Sequence, residues 1–156
     1  AKRWDKVIGL ITGLGGFAIL AIAGLDERFS WAGTLPLGIQ IIGFVLLGLS
    51  YSLFTWAMVS NKFFSTIVRI QKERGHTVQT GGPYRFVRHP GYVSLLISYI
   101  TIPIALASLW ACIPMAMLVV NLFIRTTLED RTLQNELDGY KEYAAHVRYR
   151  LIPGIW

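Results

Sequence analysis

The chain has 156 residues, of which 53% are hydrophobic and only 15% charged, with a mean hydropathy of +0.47. A soluble domain carries about a quarter charged residues, so lipid must cover much of this surface, and disorder is excluded because so apolar a chain collapses or inserts. The single cysteine, Cys112, excludes a disulfide framework, and the formal charge of +6 leaves nucleic acid to be judged by where the charges fall.

Ala1 stands first in place of a methionine, so sequence upstream of it is expected. Val7 to Leu25 is then a run of 19 residues without a charge. At ~1.5 Å per residue a helix of this length covers about 28 Å, enough for one span. A cleaved signal peptide fits poorly, because further spans follow and no small-residue cleavage site stands out. Gly9 and Gly13 form a GxxxG, read as a close helix-packing motif. Gly13-Leu14-Gly15-Gly16 is not read as a nucleotide loop, because it lies within a span. Leu35 to Val59, 25 uncharged residues, predicts the second span. After a polar stretch, Tyr92 to Ile124 gives 33 uncharged residues interrupted by Pro103, Ser108 and Pro114. This is too long for one span, so a helical hairpin turning near Ala107 to Trp110 is expected. Such a hairpin keeps its backbone groups satisfied in lipid. The expected fold class is all-α: one integral membrane domain over 1–156, with spans about 7–25, 35–59, 92–107 and 109–124. A cytoplasmic amphipathic C-terminal helix completes it.

Charge then orients the bundle. With four spans, fourteen of the fifteen basic residues share one side, and Arg28 alone faces the other. Both termini and the loop before the third span are therefore expected in the cytoplasm of a multi-pass protein of the plasma (inner) membrane. Trp4, Trp31, Trp56 and Trp110 fall near span ends, where indole rings favour the interface. The basic excess is a topology signal, and no nucleic-acid partner is expected.

Two cytoplasmic segments, about 76–92 and 125–153, carry the polar chemistry. The first includes Gly82-Pro83-Tyr84-Arg85-Phe86-Val87-Arg88-His89-Pro90-Gly91-Tyr92, whose glycines and prolines predict extended chain with turns. On composition alone it reads as a basic, aromatic interfacial anchor. In the second, Leu133, Leu137, Tyr140, Ala144 and Val147 recur at helical spacing and predict one continuous helix. Counting back by fours reaches Glu129 and Arg125, so Glu129 is expected on the inner face paired with Arg125, and Asp130 nearer the edge. That pair reads equally well as a helix-stabilising ion pair or a functional one. His76, His89 and His146 are too scattered for a metal site, so no metal is expected, and His76 reads as a turn residue.

The first segment resembles the GPYRYVRHPxYxG signature of the isoprenylcysteine carboxyl methyltransferase family. Arg125 to Asp130 resembles that family's downstream RxxxEE element, shared with phospholipid methyltransferases. Gly139-Tyr140, Tyr143, Val147 and Leu151-Ile152-Pro153 fit its C-terminal pattern. The similarity runs over about Asn61 to Trp156. Ser94 stands where the family usually has glycine, and Asp130 where it has a second glutamate.

The resemblance implies a membrane-embedded methyltransferase that uses S-adenosylmethionine and takes a lipophilic acceptor sideways from the bilayer. Carboxyl O-methylation of an isoprenylcysteine-like substrate is the implied reaction. It needs alignment of donor and acceptor and no general base, because a carboxylate is already nucleophilic. Carried onto this chain, the resemblance makes Arg88, then Arg125, the catalytic candidates that orient the acceptor. Glu129 would receive the cofactor ammonium, Tyr84 and Tyr92 would present ring faces, and His89 and Pro90 would shape the cofactor pocket. A phospholipid N-methyltransferase, an NADPH-dependent sterol-type reductase and a non-catalytic four-helix membrane protein are the competing readings. The reductase reading draws on Val147-Arg148-Tyr149-Arg150-Leu151-Ile152-Pro153.

Overall fold

Apolar run length sets most helix lengths here, and the punctuation between runs sets the ends. The computed structural model describes residues 2–156, and every regular element among them is helical. Helix α1 (Arg3–Phe29) takes in the whole first apolar run. Asp5 lies in its first turn, where the positive end of the helix dipole favours a carboxylate. The helix stops at Ser30, which takes a left-handed backbone conformation (φ 52°). Helix α2 (Leu37–Val59) starts directly after Pro36 and carries no charge. A polar strap follows, with two short 3-10 turns at Lys72–Arg74 and Gly82–Arg85.

Helix α3 (Pro90–Ala105) has Pro90 at its start, where a missing N–H costs nothing. The chain then turns through Ala107 (φ 54°) into α4 (Cys112–Glu136). The hairpin expected near Ala107 to Trp110 is present. Helix α3 has the length of the expected third span, 16 residues or about 24 Å, and begins two residues earlier. The other three long helices are each long and apolar enough to cross a membrane, and the chain is an integral membrane protein. Beyond Ile124, α4 continues as a polar extension past its apolar half.

Helix α2 packs along α3, α1 along α4, and α3 against α4. The main core gathers Ile19, Ala23, Tyr99, Leu118 and Leu122 from α1, α3 and α4. Outward faces of α1 and α2 leave Val7, Leu14, Phe17, Ile42 and Leu49 exposed, as lipid contact requires. The close approaches are not made by the expected GxxxG. Around Gly9 and Gly13 there is open space, whereas a Cβ at Gly43 would lie 2.7 Å from the Ala105 backbone nitrogen. It is Gly43 that lets α2 and α3 meet. Ser50 seals the same interface, its hydroxyl donating to the Ser94 carbonyl (3.0 Å) and bonding the Ser98 hydroxyl. At the end of the bundle where α3 turns into α4, buried Asp26 accepts from the Ser108 hydroxyl (2.6 Å) and the Ala32 N–H (3.0 Å). This clamp joins the two loops there.

The predicted continuous C-terminal helix is broken. Helix α4 ends at Glu136, Gly139 adopts φ 80°, and a separate α5 (Tyr140–His146) begins. Leu137, Tyr140 and Tyr143 still form one cluster, because α5 folds back beside α4.

Candidate functional site

The Gly82–Tyr92 segment is laid against the end of α2. Gly82 has φ 56°, and a Cβ there would run into Ser60. Tyr84 then turns inward, where its hydroxyl accepts from Asn61 Nδ2 (3.2 Å) and its carbonyl accepts from the Tyr143 hydroxyl (2.6 Å). Arg88 and His89 donate their backbone N–H groups to the Tyr149 and Arg150 carbonyls (2.9 and 3.0 Å). These two bonds bring the C-terminal segment against the motif.

Asp130 is the hub of what results. It is fully buried. Arg88 Nε lies 2.9 Å from its Oδ1, and Arg88 Nη2 donates to Oδ2 at 3.1 Å. Arg150 Nε (3.0 Å) and Gln134 Nε2 (2.8 Å) donate to Oδ2, and the Tyr140 hydroxyl donates to Oδ1 (3.1 Å). His89 Nε2 lies 3.3 Å from Oδ1. Burial alone would raise the Asp130 carboxyl, but His89, Arg150 and Arg88 outweigh it and hold the group below the usual carboxylate range. The Tyr140 hydroxyl is pushed the other way, by burial first and then by the Asp130 charge, so it stays a donor. Arg88 Nη1 donates to the Ala144 and Val147 carbonyls (both 3.3 Å), which ties α5 into the same cluster.

Beside this hub opens a cavity of about 120 Å³. Tyr84, Arg88, His89, Tyr92 and Glu129 all line it. Glu129 accepts from the Tyr92 hydroxyl, and the Tyr92 ring stacks on His89 (centroids 5.6 Å apart, 16° between planes). The strap supplies the facing wall, including Phe63, Val68, Arg69 and His76. Gln71, itself buried, holds the strap together by donating to the Phe63 carbonyl (2.7 Å) and accepting from Arg74 (2.6 Å). His76 Nδ1 accepts the Gln71 N–H (3.2 Å), and its ring packs on Phe63 (4.4 Å). Burial, and then the Arg74 charge, lower the His76 pKa, which favours the neutral, accepting imidazole.

Two expectations about α4 are overturned. Asp130, expected near the edge, is the most buried acid in the site, and Glu129 is the one at the cavity surface. Both i−3 and i−4 of an inward residue fall on the inward side of a helix, and the count from Leu133 used only i−4. Arg125 does not pair with Glu129. Its Nη2 donates to Asp5 Oδ1 (2.9 Å) and the Thr66 carbonyl (2.6 Å), and its guanidinium sits 5.7 Å from the Tyr92 ring centre. Asp5 Oδ2 in turn accepts the Val68 N–H (2.9 Å), so the start of α1 anchors the strap. The remaining predicted residues are brought together: Tyr84, His89 and Tyr92 at the cavity, and Pro90 buried at the start of α3. The strap wall and Asp5 show no local pattern that marks them for the site, and the patterns that hold Tyr140 and Arg150 do not reveal their bonds to Asp130. Among the described residues no group of three or more His, Cys, Asp or Glu is gathered as metal ligands would be.

The Isoprenylcysteine carboxyl methyltransferase (ICMT) family matches residues 41–135, which takes in α3 and nearly all of α4. Two Arabidopsis thaliana proteins match over 131 residues each. Protein-S-isoprenylcysteine O-methyltransferase A is 24% identical and protein-S-isoprenylcysteine O-methyltransferase B is 27% identical. Each alignment covers 83% of this chain and 63% of the relative, so the chain spans less than two thirds of their length.

Proposed function

The chain belongs to the isoprenylcysteine carboxyl methyltransferase family, and from that premise we propose that it methylates the carboxylate of a lipophilic, isoprenylcysteine-like acceptor with S-adenosylmethionine as donor. The observation that carries this reading is the make-up of one cavity at the end of an apolar bundle. A single carboxylate, Glu129, lines it together with Tyr84, Tyr92 and His89, while Phe54 and Phe64 supply apolar lining. That set suits a zwitterionic, aromatic, positively charged cofactor and an apolar second ligand.

When bound, S-adenosylmethionine supplies an electrophilic methyl group. Glu129 receives the ammonium of its amino-acid part, held in place by the Tyr92 hydroxyl. Tyr84 and Tyr92 offer ring faces to positive charge and to the base. Arg88 and Arg125, the candidates for orienting the acceptor, already have partners at Asp130 and Asp5. This supports a positioning role for both: Arg88 fixes the motif to α4 and α5, and Arg125 fixes the strap. Alignment of two held reactants then accounts for most of the acceleration. Excess positive charge around the cavity side supports a cytoplasmic placement for it and for both termini.

Titrating S-adenosylmethionine and NADPH separately into detergent-purified protein tests the reading. Binding of the first with no comparable affinity for the second is expected. NADPH binding without S-adenosylmethionine binding would replace it with a reductase.

A further inference from the structure

Two arginines line the cavity, and only one of them is committed. Arg88 spends Nη1 on two carbonyls and Nη2 on Asp130, with Nε packed against the same carboxylate. It has nothing to offer a ligand without opening a buried network. Arg69 lies on the strap with its side chain half exposed, and its one acidic neighbour is Glu73, four residues on and equally exposed, at 3.4 Å. That is long for a charge-assisted hydrogen bond of about 2.7–2.9 Å, and exposed pairs of this kind exchange readily.

The backbone around Arg69 is nevertheless fixed. Val68 donates its N–H to Asp5 on one side, and buried Gln71 is bonded to the Phe63 carbonyl on the other. An anchored backbone with an uncommitted guanidinium, facing a cavity whose carboxylate lies on α4, is the arrangement a carboxylate receptor needs. The planar fork of arginine matches a carboxylate with two parallel bonds.

We propose that Arg69 is the residue of this cavity that binds a ligand carboxylate. The inference rests on the methyltransferase reading and deepens it, because both ligands of that reaction carry such a group: the amino-acid part of the cofactor and the acceptor itself.

The test uses the full chain in detergent, with Arg69→Ala and Arg69→Lys. Four probes are titrated: S-adenosylhomocysteine, methylthioadenosine (the same nucleoside without the amino-acid part), an N-acetylated S-isoprenylcysteine and its methyl ester. A tenfold or greater loss for S-adenosylhomocysteine in Arg69→Ala, with methylthioadenosine unchanged, assigns the carboxylate to the cofactor. An unchanged cofactor affinity with the free acid bound no better than its ester assigns it to the acceptor. Arg69→Lys should recover part of either loss. Arg69→Ala binding all four probes as the wild type does overturns the inference, as does an equal loss of methylthioadenosine and S-adenosylhomocysteine, which would mean a collapsed cavity. A wild type that binds none of the four takes down the methyltransferase reading and this inference together. A binding wild type with an indifferent variant takes down this one alone.

Discussion

Arg88 and Asp130 are 42 residues apart in the chain and meet as a buried pair, Nε to Oδ1 at 2.9 Å and Nη2 to Oδ2 at 3.1 Å. The contact joins the segment that enters α3 to the polar end of α4, and Arg88 carries it on to α5 through two carbonyls. Asp130 is therefore the fixed point beside which the cavity is assembled, and Glu129, one residue before it, lines that cavity.

That division of labour separates two neighbouring substitutions. Asp130→Asn leaves Arg88 buried without its counter-charge, and removing one partner of a buried pair costs about 3–5 kcal/mol. Glu129→Gln touches no such network and should leave stability within about 0.5 kcal/mol. It should instead weaken S-adenosylmethionine binding roughly ten- to a hundredfold, the loss of one charge-assisted hydrogen bond. Thermal unfolding and ligand titration on both variants check this. Equal effects on stability would contradict it.

The same carboxylate predicts a pH response. Its folded pKa lies below the ordinary 3.8, so the unfolded chain takes up the proton first as pH falls. The stability this group contributes is whole above the unfolded value and is lost as pH drops through about 4 towards the folded one. Unfolding midpoints from pH 7 to pH 3 should fall more for the wild type than for Asp130→Asn. Parallel curves would contradict the assignment.

The strap depends on the start of α1. Asp5 accepts from both Arg125 and the Val68 N–H, so Asp5→Ala should release the 61–79 wall and leave α3 and α4 packed. Amide hydrogen exchange should rise across that wall, with ligand affinity reduced. Protection unchanged at 66–69 would show that the anchor lies elsewhere.

Gly43→Ala should destabilise by roughly 1–3 kcal/mol, because the new methyl meets the Ala105 backbone, which cannot swing aside. Gly9→Ala and Gly13→Ala have open space and should change stability by less than about 0.5 kcal/mol. Thermal unfolding of the three variants in one detergent ranks them. A larger loss at Gly13 than at Gly43 would restore the GxxxG reading.

What the sequence reveals here follows how local each cause is. Apolar run length fixes where α1, α2 and the hairpin lie, and the motif around Arg88 and the one around Glu129 mark the two sides of the site. Helix phase failed at Asp130 because its partners, Arg88, Tyr140 and Arg150, come from segments 10 to 42 residues away. No count along α4 contains them. The stripe also runs through Gly139, whose left-handed backbone separates α4, ended at Glu136, from α5 and resets the phase. Arg125 was lost to a partner 120 residues off, Asp5, which outcompeted the Glu129 one turn away. The strap has no periodicity, and its shape comes from buried Gln71 within it and from Asp5 and Arg125 outside it.

Methyl transfer to a carboxylate is the reaction proposed for this cavity. The most direct measurement is incubation of the purified protein in lipid vesicles with methyl-labelled S-adenosylmethionine and an N-acetylated S-isoprenylcysteine. A labelled methyl ester that base hydrolyses to labelled methanol is expected, and at subsaturating cofactor its rate of formation should fall in Glu129→Gln. No labelled ester from a protein that binds both ligands would contradict it.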